Sequence, residues 1–434
     1  MDPSSPTLQH LKAAFLSMEP TDCIISLARD TGGGRITEEI QCFILEHCIK
    51  YVDNKGSVQN NIYITSLLKK IIVELESSCD DVLEGLYELY ACCMTSLKGV
   101  GSSRTFRTIS YFFPDGSKNL VVPLQCSLNM LEGDTGCFIW PSSLFMSEFI
   151  LSYPELFLNK FCFEVGSGVG LVGIALAFSK CYRVVLSDGG LSSLANMKCN
   201  LELNQLCTED EALGGTLQHA NKVECRFLPW ESTSETELQG YQPDIVLGAD
   251  VIYDPLCVPH LVRVLANLLK REGTKPNMGE EKKSLEASSH CHDSDEYEAT
   301  DDNGNSKECL HGSSNRISHD GGSRYSRYSN PSKSERYSNL HATSCHQPES
   351  SCFATSSCES VRDEARKAPV AYIAQVIRKE ETFDYFLKTA EEARLVVIDV
   401  TGKWKPMNLL PYMRSYDRSS ISLYEVSYAQ NGLN

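Results

Sequence analysis

The spacing of apolar residues changes along the chain, and each change marks a change of predicted structure. Up to about residue 98, apolar residues recur every three or four positions, as in ITEEIQCFILEHCIKYV, where Ile40 and Phe43 begin one helical face. Thr37 is a candidate cap for the first turn of that helix. From residue 104 the period shortens to two, and RTFRTISYFF and NLVVPLQCSLN flank the turn PDGS. The pattern predicts a helical module at 1–100, followed by a β-hairpin.

Apolar strands then alternate with helices. WPSSLFMSEFILSYPELF resembles a helix with Pro141 in its first turn. FCFEV, YRVVLSD, VECRFLPW and PDIVLGADVIY are predicted strands, and the segments LVGIALAFSK, LSSLANMKCNLELNQ and PHLVRVLANLLKR are predicted helices. Strands rich in Val, Ile and Leu that alternate with helices predict an α/β fold, with a parallel sheet covered on both faces.

The composition changes sharply at residue 272. From 272 to 366 the chain is rich in Ser, Asp, Glu, Asn and His and has very few aliphatic residues. Such a segment cannot bury enough apolar surface to offset its ordering entropy, so we predict a disordered polar insertion. Its RYS repeats could bind RNA or accept phosphate, although a solvated linker is the simpler interpretation. The first part of the α/β domain is therefore expected at 101–271, and its closing strands at 367–434.

Charge and cysteine usage narrow the class of protein. The formal net charge is −17, which argues against direct nucleic-acid binding or binding to an anionic membrane because both surfaces carry phosphates. The 19 cysteines are scattered without C-x-x-C pairs, so we expect reduced thiols in the cytosol or the nucleus and no zinc site. No apolar run reaches the roughly 18 residues of a membrane span, and no signal peptide is expected.

A glycine-rich turn follows the strand FCFEV and carries the clearest chemical signal. Glu164 precedes three alternating glycines, Gly166, Gly168 and Gly170, where the backbone can approach a ligand. The range 168–173 is also a literal G-x-G-x-x-G, so a dinucleotide competes with S-adenosylmethionine for this loop. An acid would repel a pyrophosphate but suits the ammonium and sulfonium of S-adenosylmethionine. Glu164 therefore favours methyl transfer.

Two further residues are candidate cofactor ligands at strand ends. Asp188 ends YRVVLSD and could accept hydrogen bonds from both ribose hydroxyls; alternatively, it caps the next turn. Trp230 ends VECRFLPW and could stack on adenine at the carboxyl edge of the sheet; alternatively, it is a half-buried core residue.

The segment DVIYDP lies where a second substrate would meet the cofactor. Asp250 and Tyr253 are the candidate catalytic residues, and both could orient an incoming amine by hydrogen bonds. Methyl transfer needs the nucleophile held in line with the methyl group and water excluded. A lysine nucleophile must be neutral, and a carboxylate nearby raises its pKa. We therefore assign Asp250 to positioning and not to activation of the nucleophile.

Three of these motifs, in this order, resemble the seven-β-strand lysine methyltransferase family. They are E-x-G-x-G-x-G at 164–170, LPW at 228–230 and D-x-x-Y at 250–253. The likeness covers roughly 140–270 and the closing strands from Pro369. FLSMEPTDCIISL at 15–27 resembles, more weakly, the helical module of the elongation factor 2 lysine methyltransferases.

The resemblance implies a Rossmann-like seven-stranded sheet with helices on both faces. It also implies that a lysine of elongation factor 2 is trimethylated in the cytoplasm, with S-adenosylmethionine as cofactor. The partner is then a protein substrate, and we expect a monomer. By the same resemblance, Trp140, Gly166, Gly168, Trp230 and Ala249 line the cofactor.

Other functions remain open at this point. A dehydrogenase would use the same strand, glycine turn and helix, but usually has a second nucleotide-binding half and a proton-relay residue. The chain could also methylate another protein or a small molecule. It could instead be a non-catalytic protein that keeps the cofactor fold and binds partners.

Overall fold

The computed structural model describes residues 2–50, 58–96, 104–116, 119–128, 135–206, 222–271 and 367–429. The predicted insertion at 272–366, with its RYS repeats, lies outside the described residues. Its disorder and the division of the chain into domains therefore stay predictions.

The N-terminal part is helical, as the apolar spacing predicts. The α-helices among its described residues are α1 (Pro6–Leu16), α2 (Thr21–Thr31), α3 (Glu38–Phe43), α4 (Val58–Ser77) and α5 (Glu84–Ser96). A π-helical segment at Ile44–Ile49 continues α3. Thr37 does occupy the N-cap position of α3, but its side chain makes no capping hydrogen bond. The predicted hairpin is confirmed as β1 (Arg104–Tyr111) paired antiparallel with β2 (Leu120–Ser127).

Helices and strands alternate after the hairpin. The helices are α6 (Pro141–Ser152), α7 (Pro154–Phe157), α8 (Leu171–Phe178), α9 (Leu191–Leu203), α10 (Glu235–Tyr241), α11 (Val258–Leu269) and α12 (Glu380–Glu392). The strands are β3 (Phe161–Val165), β4 (Arg183–Asp188), β5 (Lys222–Phe227), β6 (Ile245–Ala249), β7 (Val370–Val376), β8 (Leu395–Asp399) and β9 (Ile421–Tyr428). The apolar spacing did not predict α10, a short helix whose N-cap Ser234 accepts the Glu237 N–H at 3.2 Å.

The seven strands β3 to β9 form one Rossmann-like sheet in the order β5-β4-β3-β6-β7-β9-β8. All pairings from β5 through β7 are parallel, but β9 runs antiparallel to both β7 and β8. The parallel pairing that the alternation of strands and helices predicts is therefore confirmed from β5 through β7, and β9 and β8 add an antiparallel edge. No helix crosses from β8 to β9 among the described residues, and an antiparallel neighbour does not need a crossover.

The strand order reverses between β3 and β6, and this point positions the site. The chain leaves β3 toward β4 and β5 on one side, and continues from β6 toward β7 on the other. In open α/β sheets, ligands bind in the crevice beyond the carboxyl ends of the strands at such a switch point. The glycine turn after β3, Asp188 after β4 and Asp250 after β6 all lie at that edge.

Two apolar layers cover the sheet. One layer packs α6 and α8 against it and is continuous with the helical module and the hairpin, and the other packs α11 and α12 against the opposite face. In the described ranges, no helix has both the length and the apolar character that a membrane span requires.

Candidate active site

A cavity of about 450 Å³ opens at the switch point of the sheet. This volume lies within the range of small-molecule and cofactor sites, about 300–1,000 Å³. Eight of the ten residues that the sequence singled out line this cavity: Trp140, Gly166, Gly168, Asp188, Trp230, Ala249, Asp250 and Tyr253. The structure thus brings together motifs that are up to 113 positions apart in the chain.

The glycine turn has no room for side chains on its ligand side. Gly166 and Gly168 have φ values of +66° and +53°, which L-residues rarely adopt. A Cβ on Gly168 would lie 2.9 Å from the carbonyl oxygen of Gly136, and one on Gly166 would lie 3.1 Å from Cγ1 of Val251. The bare backbone therefore forms the floor of the cavity.

Asp188 links the glycine turn to the loop after β4. Its Oδ2 accepts the Gly168 N–H at 3.0 Å, and its Oδ1 accepts the Gly190 N–H at 2.8 Å. The carboxylate therefore does cap the turn that follows β4, and it also lines the cavity. The two sequence-based interpretations of this residue are compatible, because the backbone amides orient the carboxylate at the position where a ribose would bind.

Two tryptophans, Trp140 and Trp230, line the cavity. The Trp140 Nε1–H donates to the Thr135 carbonyl at 3.0 Å, which sets the orientation of the ring just before α6. Trp230 places its ring edge over the glycine turn, since a Cβ on Gly166 would be 3.4 Å from Cζ2 of that ring. Arg263 donates to the Trp230 carbonyl at 2.6 Å and holds the loop after β5.

Glu164 and Gly170 do not line the cavity in this structure. Gly170 is the N-cap of α8, with a φ of +81°. Glu164 is only 1% exposed, and its Oε2 has no hydrogen-bond partner among the described residues. Burial raises the pKa of the Glu164 carboxyl well above its usual range; the Ser167 hydroxyl opposes this effect, and the Asp188 charge adds to it. The part of Glu164 in cofactor binding stays a prediction.

Asp250 occupies a constrained position after β6. Its φ is +61°, which is uncommon for a residue other than glycine, and its N–H donates to the Ala374 carbonyl of β7 at 2.9 Å. Its Oδ1 accepts from Gln375 Nε2 at 3.0 Å, and Gln375 also accepts the Ile252 N–H at 3.0 Å. Gln375 therefore pins the D-x-x-Y loop to β7.

Arg378 is a site residue that the sequence analysis missed. Its Nη1 and Nη2 donate to Oδ1 and Oδ2 of Asp250, each at 2.7 Å, and its guanidinium carbon lies 5.0 Å from the centroid of the Trp140 ring. The hydrogen bonds that Arg378 donates to Asp250 raise the pKa of Arg378. No local pattern identifies this residue, because it lies 128 positions after Asp250 and beyond the insertion.

Tyr253 lies at the mouth of the cavity and is 56% exposed. Partial burial raises the pKa of its phenol, and the carboxylates of Asp188, Asp254 and Glu231 add to that effect. The ring stays neutral near pH 7 and can donate a hydrogen bond to an incoming group.

The residues present fit S-adenosylmethionine better than a dinucleotide. Three carboxylates, those of Asp188, Glu231 and Asp250, line the cavity together with the cation Arg378, which pairs with Asp250. A pyrophosphate would meet repulsion here, whereas an ammonium and a sulfonium would meet opposite charge. In the described ranges, no group of three or more His, Cys, Asp or Glu residues could hold a metal ion.

Comparison with known proteins agrees with this geometry. A family model described as "Lysine methyltransferase" matches residues 122–292. The human Protein-lysine N-methyltransferase EEF2KMT is 28% identical over 262 residues, which are 59% of this chain and 74% of that protein. Protein-lysine N-methyltransferase EFM3 of Chaetomium thermophilum is 26% identical over 225 residues, 48% of this chain and 64% of that protein.

A plant relative matches a shorter range. The Calmodulin-lysine N-methyltransferase of Arabidopsis thaliana is 33% identical over 132 residues, 30% of this chain and 40% of that protein. The strand order of the sheet, the acidic cavity, which disfavours a phosphate group, and these sequence matches agree with one another. Residues 122–292 therefore match the lysine methyltransferase family, the chain is similar to the EEF2KMT proteins, and S-adenosylmethionine is its cofactor.

Proposed function

We propose that this protein methylates a lysine of elongation factor 2 in the cytoplasm, and that it acts as a monomer. The EEF2KMT relatives and the motif resemblance support this substrate. The observation that carries the proposal is the arrangement of the cavity. Its inner end is built for a charged nucleoside without phosphate, and its outer end opens beside Tyr253, where a long side chain can enter.

S-adenosylmethionine supplies an activated methyl group on a sulfonium when it is bound. The residues of this chain do the binding and positioning. Gly166 and Gly168 allow the close approach of the backbone, Asp188 holds the ribose and Trp230 stacks on the adenine. Asp250 and Tyr253 form the wall of the lysine channel, and the surrounding apolar residues limit the access of water.

Incubation with methyl-labelled cofactor and purified elongation factor 2 tests the proposal. We expect label on one lysine, and mass spectrometry of the digested product reads both its position and the number of methyl groups. Asp250→Ala is the matched inactive variant, because it should lose turnover while it keeps most of its affinity for the cofactor. Equal losses of turnover and cofactor affinity would contradict the positioning role of Asp250.

A cell lysate treated in the same way separates the alternatives. Label on a different protein would replace elongation factor 2 as the substrate, and label only in the small-molecule fraction would exclude a protein acceptor. Bound cofactor without any transferred label would favour the non-catalytic binder.

A further inference from the structure

The carboxylate of Asp250 is already engaged inside the cavity. Both of its oxygens accept hydrogen bonds from Arg378 in a bidentate ion pair, and Oδ1 also accepts from Gln375. The Asp250 side chain is 2% exposed, whereas that of Arg378 is 42% exposed. A substrate ammonium would have to displace a guanidinium from this carboxylate before it could pair with Asp250.

Arg378 is also the only cationic residue among the described residues that line the cavity. The anionic ones are Asp188, Glu231 and Asp250, and the other titratable lining residues are Tyr253 and Cys257. Asp254 acts on Tyr253 from the same loop, and Lys379 lies in the wall of a smaller adjoining cavity of about 90 Å³. Arg378 lines both cavities and therefore lies between them.

Methyl transfer to an amine makes this charge balance important. The lone pair of the amine forms the new N–C bond, the S–C bond breaks, and its electrons stay on the departing thioether sulfur. The amine must first give its proton to solvent. Carboxylates nearby would raise the pKa of the acceptor and oppose that step, while a cation nearby would lower it.

We propose that Arg378 is a positioning residue that neutralises Asp250, so that the acceptor lysine enters the cavity as a free amine. Asp250 then serves as a rigid anchor that holds Arg378 against the Trp140 ring, and it is not the partner of the incoming ammonium. This inference rests on the proposed lysine methylation.

The pH profile of methyl transfer to elongation factor 2 is the first test. In Arg378→Gln, the rising limb should move to higher pH by about one to two units, which is the effect of an uncompensated carboxylate a few ångströms away. Arg378→Lys keeps the charge but loses the bidentate geometry, so its pH midpoint should stay within about half a unit of the wild type. The double variant R378Q/D250N removes both charges and should also restore the wild-type midpoint.

A second test does not depend on the identity of the substrate. With S-adenosylhomocysteine bound, n-butylamine at pH 7 serves as a cationic probe of the lysine side chain, and n-butanol serves as its neutral control. Arg378→Gln should bind the ammonium at least about tenfold more tightly than the wild type, because Asp250 is released. The affinity for n-butanol should not change, and NMR titration reads both.

The outcomes separate the two proposals. If elongation factor 2 receives no label but the n-butylammonium affinity rises as described, the proposed substrate is wrong and the role of Arg378 stands. If the pH midpoint and the n-butylammonium affinity of Arg378→Gln equal those of the wild type, the role of Arg378 is wrong. If Arg378→Gln does not fold, the pH profile of methyl transfer by R378Q/D250N is the deciding measurement. A pH midpoint that differs from the wild-type midpoint by more than one unit then overturns the inference.

Discussion

At the residue scale, two independent features of the structure require a glycine at position 168. Its φ of +53° is unfavourable for any L-residue. A Cβ there would also lie 2.9 Å from the carbonyl oxygen of Gly136, which belongs to the backbone and cannot move aside as a flexible side chain could. Gly168→Arg should therefore abolish binding of S-adenosylmethionine, which calorimetry would measure. Gly240→Arg is the matched control, because a Cβ at Gly240 has no atom within 4 Å. Calorimetric affinity that survives in the Gly168 variant would contradict this role of the glycine turn.

Glu164 gives a prediction about pH at the same scale. Its pKa is raised in the folded protein, so as pH rises above the ordinary glutamate value of about 4.3, the unfolded chain loses the proton while the folded protein keeps it. The cofactor-free protein is therefore destabilised progressively between that value and the raised pKa. Glu164→Gln cannot ionise and should escape this loss.

Thermal melting without cofactor checks the prediction. At pH 8, Glu164→Gln should melt higher than the wild type by roughly 2–4 °C, the shift that about 1 kcal/mol produces in a domain of this size, and the difference should vanish near pH 4. Its affinity for S-adenosylmethionine should fall if Glu164 faces the ammonium of the cofactor. A difference in melting temperature that is the same at both pH values would refute the proposed ionisation.

At the scale of elements, one long connection joins three parts of the fold. We call residues 400–420, between β8 and β9, the C-terminal strap. Its Ser415 donates to Glu19 of the helical module at 2.9 Å through its N–H, and its Tyr412 hydroxyl accepts the Ser110 N–H of the hairpin at 2.8 Å. The strap also reaches α6, whose first turn follows Trp140 of the cavity wall. The helical module is thus connected to the cavity through packed elements.

Glu148 of α6 is the main anchor of the C-terminal strap. It is fully buried and accepts the N–H groups of Leu409 and Leu410, the Tyr416 hydroxyl and the guanidinium of Arg418. Burial raises the pKa of its carboxyl, and the hydrogen bond and charge of Arg418 oppose that shift. The Glu148 carboxylate therefore binds several polar groups of the C-terminal strap and holds them against α6.

Removal of this anchor should destabilise the whole fold. Glu148→Ala leaves the partly buried guanidinium of Arg418 and two amides without their acceptor, and the expected loss is about 3 kcal/mol of unfolding free energy. Urea unfolding monitored by circular dichroism would measure it. Glu392→Ala, at an exposed position of α12, is the matched control and should change stability by less than about 0.5 kcal/mol. Equal effects of the two substitutions would show that Glu148 does not anchor the strap.

At the scale of the whole molecule, the polar segment interrupts the domain without interrupting the sheet. β6 and β7 are paired in register, from Ile245 with Val370 to Ala249 with Ala374, although more than 120 residues separate them. Long connections cost little closure entropy, since that cost grows only with the logarithm of length. The composition of 272–366 therefore does not conflict with an intact parallel pair.

Deletion of residues 275–362 tests whether the segment contributes to the fold. We expect the melting temperature to stay within about 2 °C and the affinity for S-adenosylmethionine to stay within about twofold, because the described elements on either side pack without it. A collapsed melting transition would show that the segment is part of the folded core. Methylation of elongation factor 2 by the shortened protein would show whether the segment helps to hold the substrate.

The amino-acid sequence by itself determined the alternation of strands and helices, the glycine turn and the strand-end acids. These features are local, since each depends on the spacing of apolar residues or on the types of a few residues that are adjacent in the sequence. The positions of β3, β4 and β6, and the place of Asp188, Trp230 and Asp250 at the carboxyl edge of the sheet, were predictable for this reason, whereas Trp140 was predicted only from the family resemblance.

Only the tertiary structure decided how the charges at the site are arranged. Arg378 reaches Asp250 because β7 pairs with β6, and Glu164 is buried and does not line the cavity. The reversal of β9 likewise depends on where the strap packs. Contacts across such sequence separations follow from which faces the whole fold buries together, and no local pattern of residues contains that information.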